Sequence, residues 1–213
     1  MKYLLIQLRR IGDVLMTTPS IRLLRESYPD ADLTFLTESP SDQVLNENHN
    51  LQEILLYRNP ESIAESIRFF LNLRSRKFDC VIDFHGNPRS ALMTRFSGAP
   101  MRIGFDFRGR SLAYTHPVKI SGKVTYSAAD KAQLLRPLGI SASDFRLDFF
   151  PEEKDQIFAE NLFRKLGVEE NDFVVSLSPV SRQPYKVWPA DRFAQVADWL
   201  AEKYNAKILF LFG

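Results

Sequence analysis

What this sequence lacks narrows its chemistry before any motif is read. It has one cysteine, Cys80 in FDCVIDF, so no internal disulfide can form and a reducing, cytoplasmic setting is expected. Its three histidines, His49, His85 and His116, have neither helical nor hairpin ligand spacing, and no metal site is expected. No GxxxxGK followed by Ser or Thr is present, which argues against P-loop chemistry, and no GxGxxG follows the first apolar run, which argues against an ordinary NAD-binding fold. Long hydrophobic runs are missing too. The longest clean one, Ile208 to Phe212, is far short of a membrane span. The opening MKYLLIQLRR makes a poor signal peptide, because its apolar run is short, arginines follow it and no small-residue cleavage site appears. An excess of one charge is also absent: the net charge of +2 is too near balance for wholesale nucleic-acid binding.

What remains is the pattern of an α/β protein. Hydrophobic residues make up 45% of the 213 and charged residues 25%, enough for a real core beneath an ordinary polar surface. Short apolar runs without alternation occupy residues 3–8, 33–37, 53–57, 79–85, 173–178 and 207–212, as expected of strands covered on both faces. Between them, helical spacing marks a helix around Ile21 and Leu24 and others over 62–74, 87–96, 128–138, 152–166 and 191–204. Such alternation predicts parallel sheets with helices on both faces. No internal repeat or low-complexity tract is visible. A first domain is expected over residues 1–150, a linker helix over 151–171 and an incomplete second domain over 172–213. Two parallel strands with one long helix make a poor independent domain, so a fragment or a C-terminally truncated form is expected.

Ligands of open parallel sheets bind beyond the carboxyl ends of the strands, and three such ends here carry unusual residues. The first is RRIGDVLMTTP, residues 9–19. Gly12 permits close backbone approach or an unusual dihedral, a helix start offers N–H groups to anions, and Asp13 at the crevice mouth can accept a proton. Equally, Asp13 can be a plain N-cap and Gly12 only a turn. Thr18 can cap a helix with Pro19 in its first turn, or one helix can start at Asp13 and kink at Pro19. The second end is VIDFHGNPRS, where Asp83, His85 and Gly86 precede Asn87 and Pro88 at a helix start; His85 either meets a ligand or is a hydrogen-bonded structural residue. The third is SLSPVSRQPYKVWP, where Ser181, Arg182 and Lys186 form either a phosphate-binding loop or a solvated one whose Trp188 anchors the next helix to the sheet.

Together these blocks resemble glycosyltransferase family 9, the bacterial lipopolysaccharide heptosyltransferases. RRIGDVLMTTPSIRLLRESYPDADLTFLT resembles that family's opening strand, GD loop and first helix; FDCVIDFHGNPRSALMTRFSGAPMRIGFD its middle block; LSPVSRQPYKVWPADRFAQVADWL the start of its second domain. The resemblance implies a GT-B fold, two Rossmann-like domains facing across a cleft, and inverting transfer of heptose from ADP-heptose to the lipopolysaccharide inner core without a metal or other cofactor. It gives Asp13, on the GD motif, the role of general base, and Gly12 the room for the acceptor. Ser181, Arg182 and Lys186 fall in the donor-binding block, with Lys186 offsetting diphosphate charge. An acidic acceptor would find cations at Arg102, Arg108, Arg110, Lys119 and Lys123, with His85 nearby; the alternative is a solvated basic face. These cations also suit transient contact with the anionic inner face of the cytoplasmic membrane. The competing readings are an inactive remnant or acceptor-binding module, and a GT-B transferase using another nucleotide sugar.

Overall fold

The computed structural model describes residues 1–107, 109–120, 126–181 and 183–212. The chain divides into two compact units, Met1–Pro151 and Glu152–Gly213.

The first unit is built on β1 (Lys2–Ile6), whose YLLI run is fully buried. A short helix α1 (Ile11–Leu15) and a longer α2 (Thr18–Ser27) follow, then β2 (Asp32–Thr37), a 3₁₀ turn at Ser41–Leu45 and β3 (Glu53–Leu56). Next come α3 (Ile63–Ser75), β4 (Cys80–Asp83), α4 (Pro88–Phe96), β5 (Met101–Phe105), β6 (His116–Val118) and α5 (Ser127–Ala132). The six strands form one parallel sheet in the order β3-β2-β1-β4-β5-β6. This is the doubly wound, Rossmann-like order, and its direction reverses between β1 and β4.

Alternation along β1 divides the core. Tyr3 and Leu5 face one layer with Val14, Ile21, Leu24, Leu134 and Leu135. Leu4 and Ile6 face the other with Leu73, Phe78 and Met93. Each such side chain, fully removed from water, contributes about 1.5–3 kcal/mol of hydrophobic free energy. Burial on both faces is why the strand reads as a continuous apolar run.

Two strands, β5 and β6, lie outside the expected set. MRIGF is interrupted by Arg102 and Gly104, and HPV is a three-residue edge strand carrying Pro117, which an edge tolerates because a missing N–H costs nothing there. The helix expected over 128–138 is α only to Ala132 and then 3₁₀ over Gln133–Leu138. Pro137 cannot donate to an i−4 carbonyl, and Gly139 closes the turn at φ 76°.

The second unit contains α6 (Glu153–Lys165), β7 (Val174–Leu177), a 3₁₀ turn at Pro184–Lys186, α7 (Ala190–Tyr204) and β8 (Lys207–Phe210). Its strands pair in parallel as a two-stranded sheet. So small a sheet covers little: Phe158, Phe173, Tyr185, Trp199 and Phe212 are all exposed. No helix among the described residues is long and apolar enough to cross a membrane.

Candidate active site

The residues after β1 and those after β4 meet where the strand order reverses. His85 N–H donates to the carbonyl of Ile6, the last residue of β1, at 3.2 Å. This is the crevice position at which open α/β sheets bind ligands.

RRIGDVLMTTP is resolved into two helices. Asp13 lies inside the first turn of α1, not at its N-cap, which is Arg10. Gly12 is not the special backbone position; a Cβ there would meet nothing within 4 Å. The left-handed residue is Arg10, at φ 69° and ψ 116°, a costly conformation for a side-chain-bearing residue. The threonine pair separates the helices: Thr17 Oγ1 donates to the Val14 carbonyl at 2.6 Å and Thr18 Oγ1 to Leu15 at 2.8 Å. These bonds satisfy carbonyls at the end of α1, and Pro19 then enters the first turn of α2. The N-cap of α2 is Thr17, without a side-chain cap bond, so neither expected arrangement of this stretch is adopted.

Asp83 and His85 part company after β4. Asp83 is fully buried; its Oδ1 accepts from the backbone N–H of His85 (3.0 Å) and Gly86 (2.9 Å), and its Oδ2 from Tyr114 Oη (2.8 Å). Burial raises its pKa, and these hydrogen bonds act against the rise. Asp83 therefore pins the turn. Gly86 follows at φ +63°, and the Arg110 guanidinium donates to its carbonyl. Asn87 and Ser90 then form a reciprocal capping box at the start of α4.

His85, half-buried, is bonded through Nδ1 to Gln7 Nε2 at 2.8 Å. Gln7 is 2% exposed and also receives a bond from Lys131, whose Nζ lies 2.7 Å from Gln7 Oε1 and 3.3 Å from the Phe84 carbonyl. Lys131 is 7% exposed. Burial pushes its pKa down to about 8, with Asp13 and Asp83 pulling the other way. Burial likewise brings His85 down to about 4, assisted by the positive charges of Lys131, Arg9 and Arg10 and opposed by Asp13. Asp13 thus acts electrostatically on both groups. Beyond β2, Glu38 lies 3.7 Å from both Arg9 and Arg89.

The structure therefore brings Gly12, Asp13 and His85 to one end of the first unit's sheet. Lys119 is exposed, just after β6 at the carboxyl side of the edge strand. Arg102 is otherwise occupied: its guanidinium donates to the carbonyls of Ala99 (2.7 Å) and Ala113 (2.9 Å). Within the second unit, Ser181 Oγ accepts from Gln183 N–H at 3.3 Å, and the exposed Lys186 ammonium lies 5.9 Å from the Tyr185 ring centroid. Trp188 packs edge-on against Phe193 of α7, with ring centroids 5.2 Å apart. Arg108, Lys123 and Arg182 lie outside the described residues. Among the described residues, no group of three or more His, Cys, Asp or Glu could hold a metal ion.

Sequence reasoning missed Gln7 and Lys131. Both leave a trace: Gln7 breaks the apolar run YLLIQL, and Lys131 sits on a stripe with Ala128, Ala132 and Leu135. A polar residue at a position that periodicity assigns to the core is the signal.

Residues 66–213 match the family described as glycosyltransferase family 9 (heptosyltransferase). Among curated proteins, the chain is 29% identical to lipopolysaccharide heptosyltransferase 3 of Escherichia coli K12, over 92% of this chain and 59% of that protein. It is 21% identical to lipopolysaccharide heptosyltransferase 1 of Campylobacter coli, over 99% of this chain and 64% of that one. The chain thus spans about three-fifths of the length of the curated relatives it matches. A glycosyltransferase family 9 structure from Veillonella parvula superimposes with TM-score 0.84 at 25% identity, covering 100% of this chain and 62% of that one. The E. coli heptosyltransferase WaaC with ADP gives TM-score 0.72 at 20% identity, covering 100% and 67%. The GT-B type fold expected from the sequence is that of these neighbours.

Proposed function

The chain belongs to glycosyltransferase family 9, the heptosyltransferases, and we propose that it serves inverting transfer of heptose from ADP-heptose to an acidic acceptor in the inner core of lipopolysaccharide. The observation that carries this reading is the site of Asp13. A half-buried carboxylate stands at the topological switch point, with the charges of Lys131, Arg9 and Arg10 around its neighbour His85.

In this reading an acceptor hydroxyl attacks the anomeric carbon of the donor. The bond from that carbon to the diphosphate oxygen breaks, ADP leaves with the electron pair, and the hydroxyl proton passes to the Asp13 carboxylate. Attack from the face opposite the leaving group inverts the centre. Asp13 performs general-base catalysis. Lys186 and Ser181 hold the diphosphate, whose growing negative charge a lysine ammonium offsets. No metal ion takes part. The exposed Lys119 meets the negative charge of the acceptor. Work on such a lipid acceptor sets the protein at the inner face of the cytoplasmic membrane, with transient contact through its cations.

Incubation with ADP-heptose and a heptose-deficient core acceptor tests the reading. It expects ADP release matched one for one by a glycosylated product of inverted anomeric configuration. Hydrolysis of the donor without product, or retained configuration, would contradict it.

A further inference from the structure

The hydrogen on His85 is fixed by the groups behind the ring. A lysine ammonium has donors only, and a backbone carbonyl accepts only. Lys131 Nζ meets Gln7 Oε1 at 2.7 Å, so that end of the amide is the acceptor. The other end, Gln7 Nε2, lies 3.2 Å from the Arg9 carbonyl, which requires a donor there. Two one-way partners thus impose the same orientation on the Gln7 amide. Its nitrogen is also the atom 2.8 Å from His85 Nδ1, so the hydrogen in that contact belongs to Gln7 and Nδ1 supplies the lone pair. A neutral imidazole whose Nδ1 is bare carries its hydrogen on Nε2.

We propose that Lys131, Gln7 and His85 form a one-way hydrogen-bond chain that locks His85 as the neutral Nε2–H tautomer, so that beside Asp13 the ring is a hydrogen-bond donor to sugar oxygens and never a competing base. Gln7 and Lys131 are positioning residues, acting through His85. Protonation of Nδ1 would set N–H against N–H. It would also add a positive charge beside Lys131 of α5 and the arginines Arg9 and Arg10 after β1, against the attraction of Asp13 in α1. The opposite tautomer would turn a bare Nε2 outward and give the acceptor hydroxyl a second destination for its proton. An imidazolium would pair with Asp13 and weaken it as a base. The chain prevents both. Its consequence for turnover rests on the transferase reading; the tautomer does not.

Long-range ¹H–¹⁵N NMR on the full 213-residue chain reads the tautomer directly. With three histidines, the His85 signals are those lost in His85→Gln. At pH 7 a bare Nδ1 and a protonated Nε2 are expected, and a protonated Nδ1 would overturn the proposal. Gln7→Glu keeps a partner for Lys131 but has no N–H to give, and its carboxylate accepts from Nδ1–H. In this variant, Nδ1 should become protonated; persistence of the Nε2–H tautomer in the folded variant would overturn the chain. The spectrum of the unaltered chain decides the tautomer even where that variant fails to fold. In transfer assays, Gln7→Glu should lower kcat about tenfold at nearly constant donor KM and move the acid limb of the profile to higher pH. An unmoved profile would remove the positioning role. Absence of transfer by the unaltered protein, in contrast, is a failure of the transferase reading and leaves the spectrum to judge the chain.

Discussion

Asp83 and His85 stand two residues apart on one turn, and the fold treats them oppositely. Asp83 is sealed in and given three donors, from His85, Gly86 and Tyr114, whereas His85 keeps one nitrogen tied and the ring half-exposed. Tyr114→Phe removes one donor from a buried carboxylate and should destabilise the chain by about 1–3 kcal/mol in urea denaturation at pH 7. An unchanged midpoint would contradict the structural role of Asp83. His85 carries a pH signature. Its folded pKa of about 4 lies below the ordinary 6.5, so the unfolded chain binds the extra proton first. The neutral ring therefore contributes stability above pH 6.5 that is lost as pH falls towards 4. His85→Gln should flatten the loss in that window by roughly 2 kcal/mol, less than full linkage because the ring is partly solvated. Parallel stability–pH curves for the two proteins would count against it. His85 was legible as a candidate because it ends an apolar run at the close of a strand, and Asp13 because it follows a lone glycine in the charged stretch between the first strand and its helix. That Asp83 and His85 differ was not, since burial is a property of the packed sheet. Gln7 and Lys131 meet across 124 residues of chain, and no local pattern encodes that contact.

At the scale of elements, alternation of apolar runs with helical spacing revealed the central strands, because a strand covered on both faces cannot hide its composition. The last two strands at one side of the sheet were lost for the converse reason: β5, between β4 and β6, contains Arg102 and Gly104, and the edge strand β6 contains Pro117. Gly104 has a cause of its own. A Cβ there would lie 2.3 Å from the Tyr114 ring, the same ring that serves Asp83. Gly104→Ala should therefore lower thermal stability, at a cost of about 1–3 kcal/mol for overpacking. Combined with Tyr114→Phe it should be non-additive, because a ring displaced by the new Cβ can no longer hold its hydroxyl against Asp83, so the two changes share one side chain. Simple additivity in a double-mutant cycle would separate them. The break between α1 and α2 is legible only in hindsight. Two threonine hydroxyls bonded to preceding carbonyls end the first helix, but the sequence is equally compatible with a capped start or a proline kink. Thr18 also accepts from Asp148 N–H at 2.9 Å, while Arg22 pairs with Asp148 and Asp144, so this junction fastens the last stretch of the first unit.

For the whole molecule, the order β3-β2-β1-β4-β5-β6 gives the strand-end residues their meaning. Only in that order do β1 and β4 adjoin at the reversal point and bring Asp13 and His85 together. Composition and alternation predicted the α/β class, but strand order is set by long-range pairing that no local window contains. The proposed function has the exposed Lys186 of the second unit hold the donor diphosphate. Lys186→Ala should weaken ADP binding about tenfold or more in a calorimetric titration, as loss of a charged hydrogen bond does, and an unaltered affinity would remove that role. The central claim is that Asp13 takes the proton of the acceptor hydroxyl. Asp13→Asn keeps the shape of the side chain and removes its basicity. In a transfer assay with ADP-heptose and the core acceptor, kcat should fall by roughly 10²–10⁴-fold, with the donor KM and the unfolding midpoint near those of the unaltered protein. Turnover by Asp13→Asn at the unaltered rate would contradict the account.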